Sequence, residues 1–187
     1  MAPPLITLGH GRLDRDELTA LLRGAGIERL VDVRRFPGSR ANDAAARGQV
    51  EAICEAAGIR YRWEERLGGR RRLTTEQDAA SPDTWWRVAA FRAYAAWTRE
   101  LEFRAAITDL LADIDAARTA VMCSESVWWR CHRRIIADVI TLEHGIPVEH
   151  LMPSGDLRVH DPSEGARLDN GGHVVWDGED ASGSGTQ

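Results

Sequence analysis

The stretch TAVMCSESVWWRCHRRIIADVITLEHG, residues 119–145, decides the fold. Its first five residues form a short apolar run of the kind that fills a strand covered on both faces. From Cys131 onward, Ile135, Ile136, Val139 and Ile140 recur on one helical face, and Gly145 is placed to close the helix in a left-handed turn. Between them lies a polar loop, SESVWWR. A buried strand followed by an amphipathic helix is the repeating half of a parallel β-α-β unit, and PVEHLM (147–152) supplies the next strand.

The same alternation runs back to the start of the chain. LITL (5–8) reads as a strand, and the segment after it as a helix with Asp14 and Glu17 at capping-box spacing and Leu18, Leu21 and Leu22 inward. Leu30, Val31 and Val33 form a second strand that Pro37-Gly38 ends. Val50, Ile53 and Cys54 mark the inner face of a second helix, closed at Gly58, before a third strand, IRYRW (59–63). Residues 64–84 read as one long loop. TWWRVAAFRAYAAWT is then a helix through Trp86, Ala90, Ala93 and Trp97, and ELEFRAAITDLLADI another through Leu101, Ala105, Leu111 and Ile114. The expectation is an α/β domain over 5–155 with a mostly parallel sheet of about five strands. Residues 156–178 form an extension in which LRVH and HVVW are expected to pair as a hairpin, and 179–187, small and polar, read as a flexible tail.

Composition narrows the chemistry. The 187 residues contain 24 Arg and no Lys, which excludes a Schiff-base lysine and the P-loop lysine of nucleotide hydrolases. The net charge of −5 does not favour nucleic acid in bulk, but through residue 104 there are 18 Arg against 15 acids, so a local basic patch is available. Three cysteines are too few and too odd in number for a disulfide framework, and no basic leader or membrane-length apolar run is present. A cytoplasmic protein with no membrane partner is the expectation.

In an open α/β sheet, ligands bind beyond the carboxyl ends of the strands. The residues there are His10 and Arg12, then Asp32, Arg34 and Arg35, then Glu64 and Glu65, then Cys123 and Glu125. Cys131, His132, Arg133 and Arg134 open a helix, where free backbone N–H groups and the helix dipole favour a thiolate or a phosphate. Cys123, at the end of an apolar strand, reads by itself as a packing residue. Together the two cysteines admit a nucleophile in an anion-binding loop, a redox pair, or a small Zn or Fe site of Cys123, Cys131 and His132. The spacing matches neither the phosphatase loop, which needs five residues between Cys and Arg where this chain has six, nor a Cys-x-x-Cys knuckle. Trp128 and Trp129 either cover the core or form a stacking platform. The run IRYRWEERLGGRRRL is either a nucleic-acid groove with interleaved aromatics or a solvated loop of ion pairs with Glu64 and Glu65.

Five motifs in register, TLGHG, VDVRRFPGSR, LGGRRR, FRAYAAW and MCSES....CHRRIIAD, resemble the family called domain of unknown function 488. The resemblance implies a single-domain, Rossmann-like three-layer sandwich and no assigned activity. It carries family motif positions onto His10, Asp32, Arg34, Pro37, Arg40, Gly68, Gly69, Arg70, Arg92, Tyr94, Cys123, Glu125, Cys131, His132 and Arg133. Members of that family commonly have Ala after the strand Cys and Pro in the loop, where this chain has Ser124 and the Trp pair. The leading expectation is a cysteine-dependent enzyme binding a phosphorylated small molecule or nucleic acid. Cys131 would be its nucleophile, with Cys123, Glu125, His132 and His10 beside it and Arg34, Arg35, Arg40, Arg70, Arg133 and Arg134 as anion contacts. A non-catalytic nucleic-acid binding module and a metalloprotein are the alternatives, and the residues name no cofactor.

Overall fold

The computed structural model describes residues 3–178, so the tail expected at 179–187 lies outside the described residues. Strand β1 (Leu5–Gly9) leads into helix α1 (Arg15–Gly24), which starts where the sequence signals it. Asp14 accepts a hydrogen bond from the Glu17 N–H, and Glu17 accepts one from the Asp14 N–H. Strand β2 (Arg29–Asp32), helix α2 (Gln49–Ala57) and strand β3 (Arg60–Trp63) follow, α2 closing on a left-handed Gly58.

The 64–84 segment is not wholly irregular: it holds a 3-10 turn at Glu65–Leu67 and a short helix α3 (Thr75–Ala79). Thr74 and Gln77 cap that helix reciprocally, a signal hidden in the polar run TTEQ. Helix α4 spans Ala89–Trp97 and begins later than the apolar pattern suggests. Trp85 and Trp86 lie before it, Trp86 buried among Trp85, Phe91 and Trp176, so tertiary packing and not helical periodicity explains their apolar character. Helix α5 (Leu101–Ala116), strand β4 (Thr119–Cys123), helix α6 (Arg133–His144) and strand β5 (Val148–Leu151) complete the alternation.

The sheet order is β3-β2-β4-β1-β5-β6, parallel except for β6 (Leu157–Val159), which pairs antiparallel with β5. A separate antiparallel hairpin joins β7 (Ala166–Leu168) to β8 (Val174–Trp176). The terminal hairpin therefore exists, but its first strand is 166–168; the LRV segment extends the main sheet instead.

Two apolar layers sandwich the sheet. On one face, Leu18 and Leu22 of α1 and Val50, Ile53 and Cys54 of α2 pack on Ile6, Leu8, Leu30, Ala120 and Met122. On the other, α4, α5 and α6 bury Tyr94, Phe103, Leu110, Ile136 and Val139 against Leu5, Val31, Val121 and Val148, with Trp176 of β8 joining them. Each such aliphatic side chain contributes roughly 1.5–3 kcal/mol by leaving water. The strand order makes β1 and β4 neighbours whose following helices leave for opposite faces, and a crevice opens at such a switch point. Among the described residues, no helix is long and apolar enough to cross a membrane.

Candidate active site at the ends of β1 and β4

Gly9 of β1 pairs with Cys123 of β4, and the chain beyond each strand crosses the other closely. The His10 N–H donates to the Cys123 carbonyl at 3.0 Å and the Gly11 N–H to the Ser124 carbonyl at 2.9 Å. A methyl group on Gly9 would lie 1.8 Å from the Glu125 carbonyl oxygen, so only glycine lets the two loops meet.

The sulfur atoms lie beneath this crossing. Cys123 Sγ, Cys131 Sγ and a His132 ring nitrogen all lie within 4.8 Å of one another. Arg133, almost wholly buried, donates from Nε to Cys131 Sγ at 3.3 Å, and its NH2 donates to the Glu125 carbonyl. His132 Nδ1 is 3.7 Å from Cys131 Sγ, while its Nε2 is buried without a partner. Burial opposes ionisation of Cys131, but the Cys123 thiol, His132 and Arg133 outweigh it and hold Cys131 well below the usual thiol range. The Cys123 thiol is pushed well above that range, first by its hydrogen bond to Cys131 and then by burial. Cys54, buried under α2 and pushed up to about 12 by burial and then by Asp32 and Glu51, is an inert packing thiol by contrast.

Three donors so close together resemble part of a zinc site. Beside them, the Arg133 guanidinium donates to Cys131 Sγ at 3.3 Å.

The other expected residues divide. His10 is buried, its Nδ1 3.1 Å from the Gly11 carbonyl and its Nε2 3.5 Å from Arg34 NH1. Burial lowers its pKa against the pull of the Gly11 carbonyl, and the charges of Arg34 and Arg133 lower it further. Arg34 is consumed by Asp32: Nε and NH2 donate to the two carboxylate oxygens at 2.9 and 2.6 Å, and Tyr61 OH donates to the same carboxylate at 2.8 Å. Glu125 points outward and caps its own loop, accepting from the Val127 N–H at 3.0 Å. Arg134 turns away to Ser163 and the Trp85–Trp86 rings. Arg40 is exposed, and Arg35 and Arg70 stand on a separate groove around Phe36.

A cavity of about 800 Å³ opens at the switch point, lined by His10, Arg12, Arg15, Asn42, Asp43 and Ser124. Ser124 joins it to the sulfurs, its hydroxyl lying 3.9 Å from Cys123 Sγ. Asn42 fixes the far wall by donating to the Gly11 and Leu13 carbonyls.

The sequence gives little warning of a buried polar chain behind the sulfurs. Asp138 Oδ1 lies 2.8 Å from His160 Nε2, His160 Nδ1 3.0 Å from His150 Nε2, and His150 Nδ1 2.6 Å from Thr7 Oγ1. A carboxylate only accepts, so the protons order themselves: Thr7 donates to His150, His150 to His160, His160 to Asp138. Trp176 Nε1 and the Ser163 N–H also donate to Asp138, and Trp128 stacks on His150 at 4.0 Å. These groups sit at unrelated spacings on separate segments of the chain. The local signal is a pair of histidines, His150 within β5 and His160 just after β6.

A family model described as "Domain of unknown function DUF488" matches residues 14–140, a span that includes Cys123, Cys131 and Arg133. No curated protein and no solved structure matches the chain.

Proposed function

The chain belongs to the DUF488 family, and because that family's description assigns no activity, we propose from the geometry that the protein is a cysteine-dependent enzyme acting on an anionic ligand. The carrying observation is the contact between Arg133 Nε and Cys131 Sγ at 3.3 Å, in a pocket that also holds His132 and the Cys123 thiol. A guanidinium that cannot lose its proton keeps the sulfur ionised, and the ionised sulfur is the nucleophile. His132, with Nε2 unspent, is the group that gives or takes a proton at the reacting atoms. Cys123 holds the second thiol as a hydrogen-bond donor to the first. Arg12 and Arg15, exposed on the crevice wall, supply anion contacts that the saturated Arg34 does not.

Charge-selective alkylation tests this reading. Cys131 should react faster with iodoacetate than with iodoacetamide, the reverse of an unassisted thiol, and Arg12→Ala with Arg15→Ala should abolish the preference. Equal or inverted selectivity in the unmodified protein, or an equimolar zinc content in the purified chain, would contradict it.

A further inference from the structure

We propose that the groove formed by Arg35, Phe36 and residues 70–75 binds single-stranded nucleic acid, a base stacking on Phe36 and phosphates lying on Arg35, Arg70 and Arg72. This inference rests on residues outside the thiol site and stands or falls separately from it.

The first observation is charge. The chain carries more acids than arginines, and among the described residues eight arginines are ion-paired to carboxylates. Arg35, Arg70, Arg71 and Arg72 have no carboxylate partner among the described residues. They line a cavity of about 890 Å³ together with Phe36 and Thr75. The acid in its wall, Asp78, is matched by a two-pronged contact from Arg92 at 2.7 and 2.8 Å. Burial, and then the charge of Arg35, lower the pKa of Arg71 against the weaker opposing pull of Tyr94, Glu102 and Glu65.

The second observation is the ring. Phe36 is 62% exposed, and the guanidinium carbons of Arg35 and Arg70 lie 6.0 and 5.8 Å from its centre. An exposed ring flanked by cations offers a face to a base and a charge to each neighbouring phosphate. Duplexes hide their base faces, so the arrangement selects unpaired strands.

The third observation is backbone geometry. Arg70 is the one non-glycine among the described residues with a positive φ, 59°. The left-handed region is unfavourable for a residue with a Cβ, and glycine would occupy it without cost. Gly68 packs so tightly on Arg35 that a methyl group there would lie 2.6 Å from the Arg35 Cα, and Arg35 NH1 reaches the Arg70 carbonyl at 3.5 Å. The turn is thus fixed against the Arg35-Phe36 loop that follows β2, and it holds an arginine where stability favours glycine.

The test is anisotropy of a fluorescein-labelled oligothymidylate of about fifteen nucleotides, titrated from about 50 to about 200 mM salt. Binding should weaken with salt, and Arg70→Gly and Arg72→Ala should each reduce the logarithmic salt slope by about 0.7. Phe36→Ala should weaken binding at least about fivefold with the slope unchanged. Arg70→Gly should melt no lower than the unmodified protein while binding worse, a combination that a merely structural arginine would not produce. Cys131→Ser should bind as the unmodified protein does. Wild-type binding by Phe36→Ala or Arg70→Gly, a duplex bound as tightly as the single strand, or no binding at the lowest salt overturns the proposal.

Discussion

A methyl group has no room on Gly9, because the Glu125 carbonyl that Arg133 uses as its anchor lies against it. Gly9→Ala should therefore push the 124–130 loop outward, costing about 1–3 kcal/mol by overpacking and loosening Arg133. Denaturant unfolding measures the first effect, and slower alkylation of Cys131 the second. Arg133→Met removes the charge at similar volume, so it should raise the Cys131 pKa, and the thiolate fraction falls about tenfold per unit of rise once that pKa has passed the working pH. At this scale the sequence was partly legible. A cysteine at a helix start reads as a thiol favoured by the helix dipole, whereas Arg133, read there as an anion contact, is found donating to Cys131 itself. The spacing of Asp32 and Arg34 does not reveal that they satisfy each other, since that depends on both being buried at a strand end. Nor does SESV reveal that Glu125 caps its own loop. In the run IRYRWEERLGGRRRL the ion-pair reading holds for part of its length: Arg62 and Arg66 pair with Glu64, whereas Arg70, Arg71 and Arg72 have no carboxylate partner among the described residues.

Among the elements, α6 is held at two points. Its start carries Arg133, and its middle carries Asp138, which gathers donors from His160, Ser163 and Trp176. The hairpin strand β8 is therefore tied to the helix that presents the thiolate. Trp176→Phe keeps most of the packing but leaves one oxygen of a buried carboxylate short of a donor, which should cost about 1–3 kcal/mol in denaturant unfolding. His150 supplies a pH signature. Burial, then His160 and Arg133, lower its pKa to about 3, so the folded protein keeps it neutral where the unfolded chain would bind a proton. Stability from this group is complete above about pH 6.5 and declines as pH falls toward about 3, by up to about 1.4 kcal/mol per unit. His150→Gln, which retains a donor toward His160, should flatten that acid limb in unfolding curves collected across the same range. The alternation of elements was readable because each strand and helix carries its own period. Helix α3 and the partner of β8 were not, being set by reciprocal capping within a polar run and by packing against the finished core.

For the whole molecule, strand order is what converts separate motifs into a site. Only the neighbouring of β1 and β4 brings His10, Cys123 and Ser124 together, and sequence order by itself does not determine that neighbouring. The crossing also explains why the expected arginines part company. Those inside the fold, Arg34 and Arg133, donate to Asp32 and to Cys131, while Arg12 and Arg15 face the crevice and Arg35, Arg70 and Arg72 face the groove beyond the Gly68-Gly69 turn. Gly69 packs against the His132 ring on one side of that turn, as Gly68 packs against Arg35, so close approach accounts for both glycines. The central claim is that Cys131 is a thiolate at neutral pH. Its alkylation rate by iodoacetamide, followed by peptide mass spectrometry from about pH 5 to about pH 10, measures this directly. An inflection well below the free-thiol value of about 8.5 is the expected result. An inflection at or above that value, unchanged in Arg133→Met, would contradict it.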